Sequence, residues 1–177
     1  MNKNVRSILT LFAICALVAL MLAVTNFITA PIIAENEEKA FAQSMLEMLP
    51  EGRGFEKVDV SGYDLPDSIA EVYTEEGGGY VVKIVTKGYS KGLVIMCGID
   101  ADGNVTGTKS ISNSETPSIG GAAINRIASD FVGKTIEDVG SVELVSGATK
   151  TTAAYSAAIE DALEAAQIIR NGGAENE

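Results

Sequence analysis

The sequence predicts an α+β protein: a single N-terminal transmembrane helix, then a domain with a mainly antiparallel sheet flanked by helices. Three observations predict it. No charged residue occurs from Ser7 to Ala34. Four apolar, strand-like segments bounded by turn residues follow one another between Ile69 and Ile111, the pattern of hairpin-linked strands. Helical periodicity takes over from Gly120, and a run of strands followed by helices argues for α+β rather than alternating βαβ units.

The first element is the most visible. Ile8 to Val24 (ILTLFAICALVALMLAV) is nearly continuous aliphatic sequence inside 28 uncharged positions, 7–34. At about 1.5 Å per residue these span roughly 42 Å as a helix, enough for a hydrocarbon core of about 30 Å. A cleaved signal peptide is the competing reading. Its apolar stretch is shorter, however, and Pro31 follows the small-residue site near Thr29 and Ala30. A lipoprotein signal fails because Ile14 precedes Cys15 where a small residue is needed. The reading is an uncleaved anchor. Lys3 and Arg6 precede the span and Glu35, Glu37 and Glu38 follow it, so residues 1–6 are expected in the cytoplasm and the remainder outside.

An amphipathic helix then continues over about Glu35–Leu49, with Phe41, Met45, Leu46 and Leu49 at helical spacing and Pro50 and Gly52-Arg53-Gly54 as its stop. Together with an irregular stretch holding Gly62 and Pro66 it forms a helix and connector over 35–68. Strands are expected at Ile69–Tyr73, Gly79–Thr86, Gly92–Ile99 and Asn104–Ile111, with Asp102-Gly103 as a hairpin signal. A helix follows over Gly120–Phe131, then a short strand at Val142–Val145 and a last helix over Lys150–Arg170. Tyr155, Ile159, Ala162, Ala166 and Ile169 form the apolar face of that helix; Glu160, Glu164 and Gln167 form its wet face. The sheet domain is thus expected over 69–171, with a flexible tail at 172–177.

Composition removes several functions. The 177 residues include no histidine, which excludes a His triad, a His metal site, a His-ligated haem and an imidazole base. Two cysteines far apart, Cys15 and Cys97, provide no disulfide framework, zinc site or iron–sulfur motif. Both read as apolar fillers. Residues after Ala34 carry all 24 acidic and 11 of the 13 basic side chains, a formal charge of −13, which argues against a nucleic-acid partner. Asp100-x-Asp102-x-Asn104 looks like the start of a calcium loop, but Val105 stands where Gly is required and Ile111 where Glu is. It reads as a hairpin turn, and no metal site is expected.

Two segments carry chemistry. Ser146-Gly147-Ala148-Thr149 lies at the start of the last helix, where small residues leave N–H groups open and the helix dipole favours an anion such as phosphate. Ordinary N-capping by Ser146 or Thr149 is the competing reading. The polar, turn-rich run Ser112 to Gly121 could set backbone against a planar ligand, with Gly120 and Gly121 permitting close approach. Its plain alternative is a helix start capped by Ser118.

These pieces together resemble the FMN-binding domain family. The matching segments are K-G-Y-x-x-G-L-V at Lys87–Val94, G-I-D-x-D-G-x-V-T-G at Gly98–Gly107, E-T-P-x-I-G at Glu115–Gly120, F-V-G-K at Phe131–Lys134 and V-S-G-A-T-K-T-T at Val145–Thr152. They stand in family order over about residues 80–157. One anchor with one such domain is similar to the RnfG branch of the family, found in Rnf-type electron-transport complexes. A related branch is the C component of sodium-translocating NADH:quinone oxidoreductases. This chain departs from the common family pattern in Asn113, where many relatives have histidine, and in Ser118-Ile119 for Gly-Leu.

The resemblance implies one FMN per chain, attached through a phosphodiester to Thr149 by a separate flavin transferase that takes it from FAD. It implies Ser146 and Thr152 as side-chain donors to the phosphodiester, and Gly147 and Ala148 as the residues that leave room. Glu115, Thr116, Pro117, Ile119 and Gly120 would lie beside the flavin ring, with Lys87–Gly92 as a further wall. Without histidine, nothing nearby activates a threonine hydroxyl, which favours modification by an external enzyme. The implied activity is electron relay within a membrane-bound, ion-translocating ferredoxin:NAD oxidoreductase, with no catalytic residues of the chain's own. Its partners would be other membrane and cluster-bearing components of the complex. The alternatives are a stand-alone membrane-anchored flavoprotein or quinone-reductase component, and a flavin-free anchored interaction or sensor protein.

Overall fold

The computed structural model describes residues 3–172; the tail expected at 172–177 lies, after Gly172, outside the described residues. Helix α1 runs without a break over Lys3–Met48, so the anchor and the following amphipathic helix are one element with Pro31 inside it. The chain divides into two compact units, the first ending at Gln43 and the second starting at Ser44.

In the first unit, Leu11–Pro31 is a 21-residue stretch of mean hydropathy 2.5, long and apolar enough to cross a membrane. Its large side chains, Leu11, Phe12, Leu20, Leu22 and Phe27 among them, are exposed, as a lipid-facing helix requires. Cys15 is exposed too, so within this unit it fills no core. The Thr25 and Thr29 hydroxyls donate to the carbonyls of Met21 and Thr25, each at 2.9 Å, which keeps these polar groups partnered inside an apolar span.

The second unit is built on a five-stranded antiparallel sheet in sequence order: β1 (Glu56–Lys57), β2 (Ile69–Thr74), β3 (Tyr80–Lys87), β4 (Lys91–Ile99) and β5 (Val105–Ser112). Strands β2 to β5 fall within a residue or so of their expected positions; β1, only two residues long, gives no sequence signal. At the β4–β5 hairpin the Asp100 carboxylate receives the N–H groups of Asp102 and Asn104, both at 2.9 Å, and Gly103 adopts φ +90°. This carboxylate shapes a turn.

Helix α3 (Thr149–Arg170) lies over the sheet. Val72, Val82, Ile84, Ile95, Cys97 and Ile99 from the strands share one core with Tyr155, Ile159, Ala162 and Ala166 from α3 and with Ile124, Ile127 and Phe131. Glu160, Glu164 and Gln167 are exposed, and Ile169 is half-buried. Tyr155 is fully buried, and this burial pushes its phenol pKa well above the ordinary range, against the opposing effect of its hydrogen bond to Thr108.

The last turn of α1 belongs to this unit. Gly98 and Gly107 face each other across β4 and β5, and Met48 lies against both: a Cβ at Gly98 would stand 2.5 Å from the Met48 carbonyl oxygen. The Thr106 hydroxyl donates to that carbonyl, so one of the orphan acceptors at the helix end is satisfied by the sheet.

Two expectations need correction. The helix expected over Gly120–Phe131 is a composite: a wide π turn at Pro117–Gly121, a short helix α2 at Ala122–Ile127 and a 3₁₀ turn at Ala128–Phe131. Thr116 stands at its N-cap without a side-chain cap bond, so Ser118 does not cap it. Val142–Val145 forms no strand. The chain meets β5 earlier, where the Val105 N–H donates to the Lys134 carbonyl at 2.9 Å and the Gly133 N–H to the Val105 carbonyl at 2.7 Å. Val142 is buried and Val145 packs on the core, yet neither has a ladder partner, which an apolar pattern alone cannot supply.

Candidate functional site

The start of α3 is made by three small residues and one buried threonine. Gly147 takes φ +84°, a conformation that favours glycine, and a Cβ there would meet open space. The Ala148 N–H donates to the Val145 carbonyl at 3.0 Å, closing the turn. Thr152 is fully buried. Its hydroxyl donates to the Ala148 carbonyl at 3.1 Å and accepts the Val145 N–H at 3.3 Å, bracing the turn from inside.

Ala148 occupies the N-cap position, with no side-chain cap hydrogen bond. Capping by Ser146 or Thr149 is therefore not what this segment does. The N–H groups of the first turn have no intrahelical acceptor by construction, and here no side-chain cap replaces one. Ser146, Gly147, Thr149 and Lys150 are exposed, whereas Thr151 and Thr152 are buried.

The opposite wall is the turn at Thr116–Gly121. The Thr116 carbonyl accepts the N–H groups of both Ile119 and Gly121, at 3.0 and 3.1 Å, and the widened turn leaves Ile119 about half exposed. Beneath it Glu115 is buried. Its own N–H donates to Asn113 Oδ1 at 3.3 Å, so Asn113 shapes this turn.

Between these walls opens a cleft of about 470 Å³ lined by Tyr89, Glu115, Thr116, Ile119, Gly120, Gly147, Ala148, Thr149, Lys150 and Thr151. Its size is within the usual range for small-molecule sites. Of the residues singled out in the sequence, Glu115, Thr116, Ile119, Gly120, Gly147, Ala148 and Thr149 line it. Ser146, Pro117 and Thr152 do not, and the Thr152 hydroxyl is already engaged within its own turn. Tyr89 comes from the Lys87–Gly92 segment expected as a further wall. Lys150 and Thr151 carry no such expectation. Thr152, Tyr155 and Ile159 stand three and four residues apart, so the apolar stripe of α3 already signals a buried Thr152.

The cleft's chemistry fits a phosphorylated planar group. An exposed hydroxyl at Thr149, an uncapped helix start and the Lys150 ammonium stand together at one side, suited to an anion. The exposed Tyr89 ring and Ile119 side chain offer apolar surface for a flat ring.

Comparison with known proteins bears on the same residues. Residues 88–164 match the FMN-binding domain family, a stretch that contains every cleft-lining residue, and residues 1–48 match the family of RnfG N-terminal regions. The chain is 34% identical over 156 residues to the G component of the Na⁺-translocating ferredoxin:NAD⁺ oxidoreductase complex of Acetobacterium woodii, covering 80% of this chain and 74% of that one. It is 26% identical over 187 residues to the G component of the ion-translocating oxidoreductase complex of Aliivibrio fischeri, covering 91% and 88%. It is 22% identical over 160 residues to the G component of the proton-translocating ferredoxin:NAD⁺ oxidoreductase complex of Clostridium ljungdahlii, covering 85% and 84%.

Proposed function

Because this chain belongs to the RnfG family, the G components of ion-translocating ferredoxin:NAD⁺ oxidoreductase complexes, we propose that it is the extracytoplasmic electron-relay component of such a complex and carries FMN on Thr149 through a phosphodiester bond. Its organisation follows: a cytoplasmic start at 1–6, an anchor at 7–34, a helix and connector at 35–68 and the flavin domain at 69–171. The bound flavin supplies the electron-carrying chemistry, and the chain supplies attachment, orientation and electrostatics.

The observation that carries this reading is selective exposure. The motif S-G-A-T-K-T-T offers four hydroxyls, and only Ser146 and Thr149 are exposed; Thr149 alone of the two lines the cleft. Gly147 and Ala148 keep bulk away from it, which leaves an external transferase room to reach the side chain. The uncapped N–H groups of α3 and the Lys150 charge would hold the phosphodiester anion, with Ser146 as a side-chain donor. Thr116, Ile119 and Gly120 on one side and Tyr89 on another would wall the ring, with Pro117 shaping the turn behind them. Thr152 serves the turn rather than the phosphodiester.

Electrons would pass to and from neighbouring membrane and cluster-bearing components, not to a diffusible substrate. Covalent attachment suits a site outside the cytoplasm, where a lost flavin is not readily replaced.

In-gel flavin fluorescence tests the attachment. The full chain, co-produced with a flavin transferase, is expected to give one fluorescent band on a denaturing gel. Ser146→Ala keeps the band, and Thr149→Val removes it while the protein remains folded. A band that persists in Thr149→Val refutes the assignment. Protease added to intact cells stripped of their outer barrier is expected to digest the flavin domain; protection there refutes the proposed orientation.

A further inference from the structure

The cleft walls come from three separate parts of the chain, and one side chain joins them. Glu115 is 7% exposed, an unusual place for a carboxylate. Both of its oxygens are engaged: Oε1 accepts the Ser90 N–H at 2.9 Å, and Oε2 accepts the Thr151 hydroxyl at 2.8 Å. These bonds tie the turn between β3 and β4 to the first turn of α3, while the Glu115 backbone itself leads into the Thr116–Gly121 turn.

The carboxylate fits tightly between two glycines. A Cβ at Gly88 would lie 2.6 Å from Oε1, and one at Gly120 would lie 2.6 Å from Oε2. A carboxylate held by two donors forms strong bonds, and removing either donor leaves one buried oxygen without a partner. The three walls are therefore held at one spacing by a single group.

We propose that Glu115 is a positioning residue for the flavin cleft: acting through Ser90 and Thr151, it sets the gap between the Ile119 wall and the turn that presents Thr149. This rests on the attachment reading above. The same arrangement accounts for glycine at 88 and 120, since any side chain there would displace the carboxylate.

The test uses the full chain co-produced with a flavin transferase, as wild type, Glu115→Gln and Thr151→Val. Glutamine keeps the volume but replaces the carboxylate by a neutral amide. Its oxygen can still accept the Ser90 N–H, while its NH2 can only donate to the Thr151 hydroxyl, so the bond to Thr151 is reversed and loses its charge assistance. Thr151→Val keeps the shape of α3 and removes one bond. The readouts are adduct occupancy at Thr149, quenching of the attached flavin by iodide, and the circular dichroism of the flavin bands. Loss of the charge-assisted bond to Thr151 is expected to weaken the tie between the walls by about tenfold. In both variants iodide quenching then rises toward the free-flavin value and flavin dichroism weakens. A change in global stability alone moves neither signal in protein that is still folded, and a folded variant that takes up less flavin supports the role as well.

Flavin on Thr149 with wild-type quenching and dichroism in both variants would overturn the positioning role and leave the attachment reading standing. A wild-type chain without the adduct overturns both. If Glu115→Gln does not fold, Thr151→Val decides alone.

Discussion

Replacing Tyr155 by phenylalanine has an effect whose sign depends on one neighbour. Tyr155 stands nearly two turns along α3 from Thr149 and is fully buried. Its hydroxyl donates to Thr108 Oγ1 at 2.9 Å, and Thr108 in turn donates to the Ala128 carbonyl at 3.0 Å. The chain of bonds thus runs from α3 through β5 to the 3₁₀ turn. Tyr155→Phe keeps the ring 5.7 Å from Phe131 and removes one donor, while Thr108 keeps its bond to Ala128. The expected cost is about 1 kcal/mol, or roughly 3–5 °C in melting temperature for a unit of this size.

Thr108→Val is worse, because it leaves the Tyr155 hydroxyl buried without an acceptor and takes the donor from Ala128. The expected cost is about 2–4 kcal/mol. Adding Tyr155→Phe to Thr108→Val deletes the orphaned hydroxyl, so it should recover about 1 kcal/mol. Thermal and urea unfolding of the four proteins in detergent, followed by circular dichroism, measure this cycle. Phenylalanine is expected to destabilise the wild-type background and stabilise the Thr108→Val background. The same sign in both backgrounds would refute the reasoning.

Gly98→Ala places a methyl against the Met48 carbonyl and is expected to cost about 1–3 kcal/mol, with protease cleavage rising between Met48 and Phe55 as the last turn of α1 leaves the sheet. Thr149→Val, at an exposed position, should leave the melting temperature of the unmodified protein unchanged. Tyr73 supplies an alkaline transition: burial first, and then the Glu71 carboxylate that accepts its hydroxyl at 2.7 Å, push its pKa from 10.0 to about 12. The folded state holds this proton more tightly than the unfolded one, so the contribution is complete below pH 10 and is lost as pH rises through about 12. The urea midpoint should be lower at pH 11 than at pH 9 in wild type, and the difference should shrink in Tyr73→Phe without vanishing, because burial holds the Tyr155 proton as well.

The hairpins were readable because alternating apolar positions and turn residues are local signals. Tyr80–Lys87 and Lys91–Ile99 pair as their patterns require, and Asp102-Gly103 turns the chain where expected. Val142–Val145 shows where local signals end. Its β-branched residues suit a strand, but the edge of β5 is already met by Gly133 and Lys134. The candidate site divides in the same way. Small residues before a helix marked the Thr149 turn, whereas the burial of Glu115 depends on Ser90 and Thr151, which stand 25 and 36 positions away. Three threonines in one turn look alike in sequence; the phase of α3 on the sheet buries Thr151 and Thr152 and leaves Thr149 outside.

The attachment site is open to one direct measurement. Trypsin cuts after Lys134 and Lys150, so the peptide 135–150 contains Ser146 and Thr149 but neither Thr151 nor Thr152. From protein co-produced with a flavin transferase, this peptide should appear heavier by about 0.44 kDa, one FMN-phosphoryl group, with fragment ions placing the added mass on Thr149. The unmodified peptide alone, or the added mass on Ser146, would contradict the account.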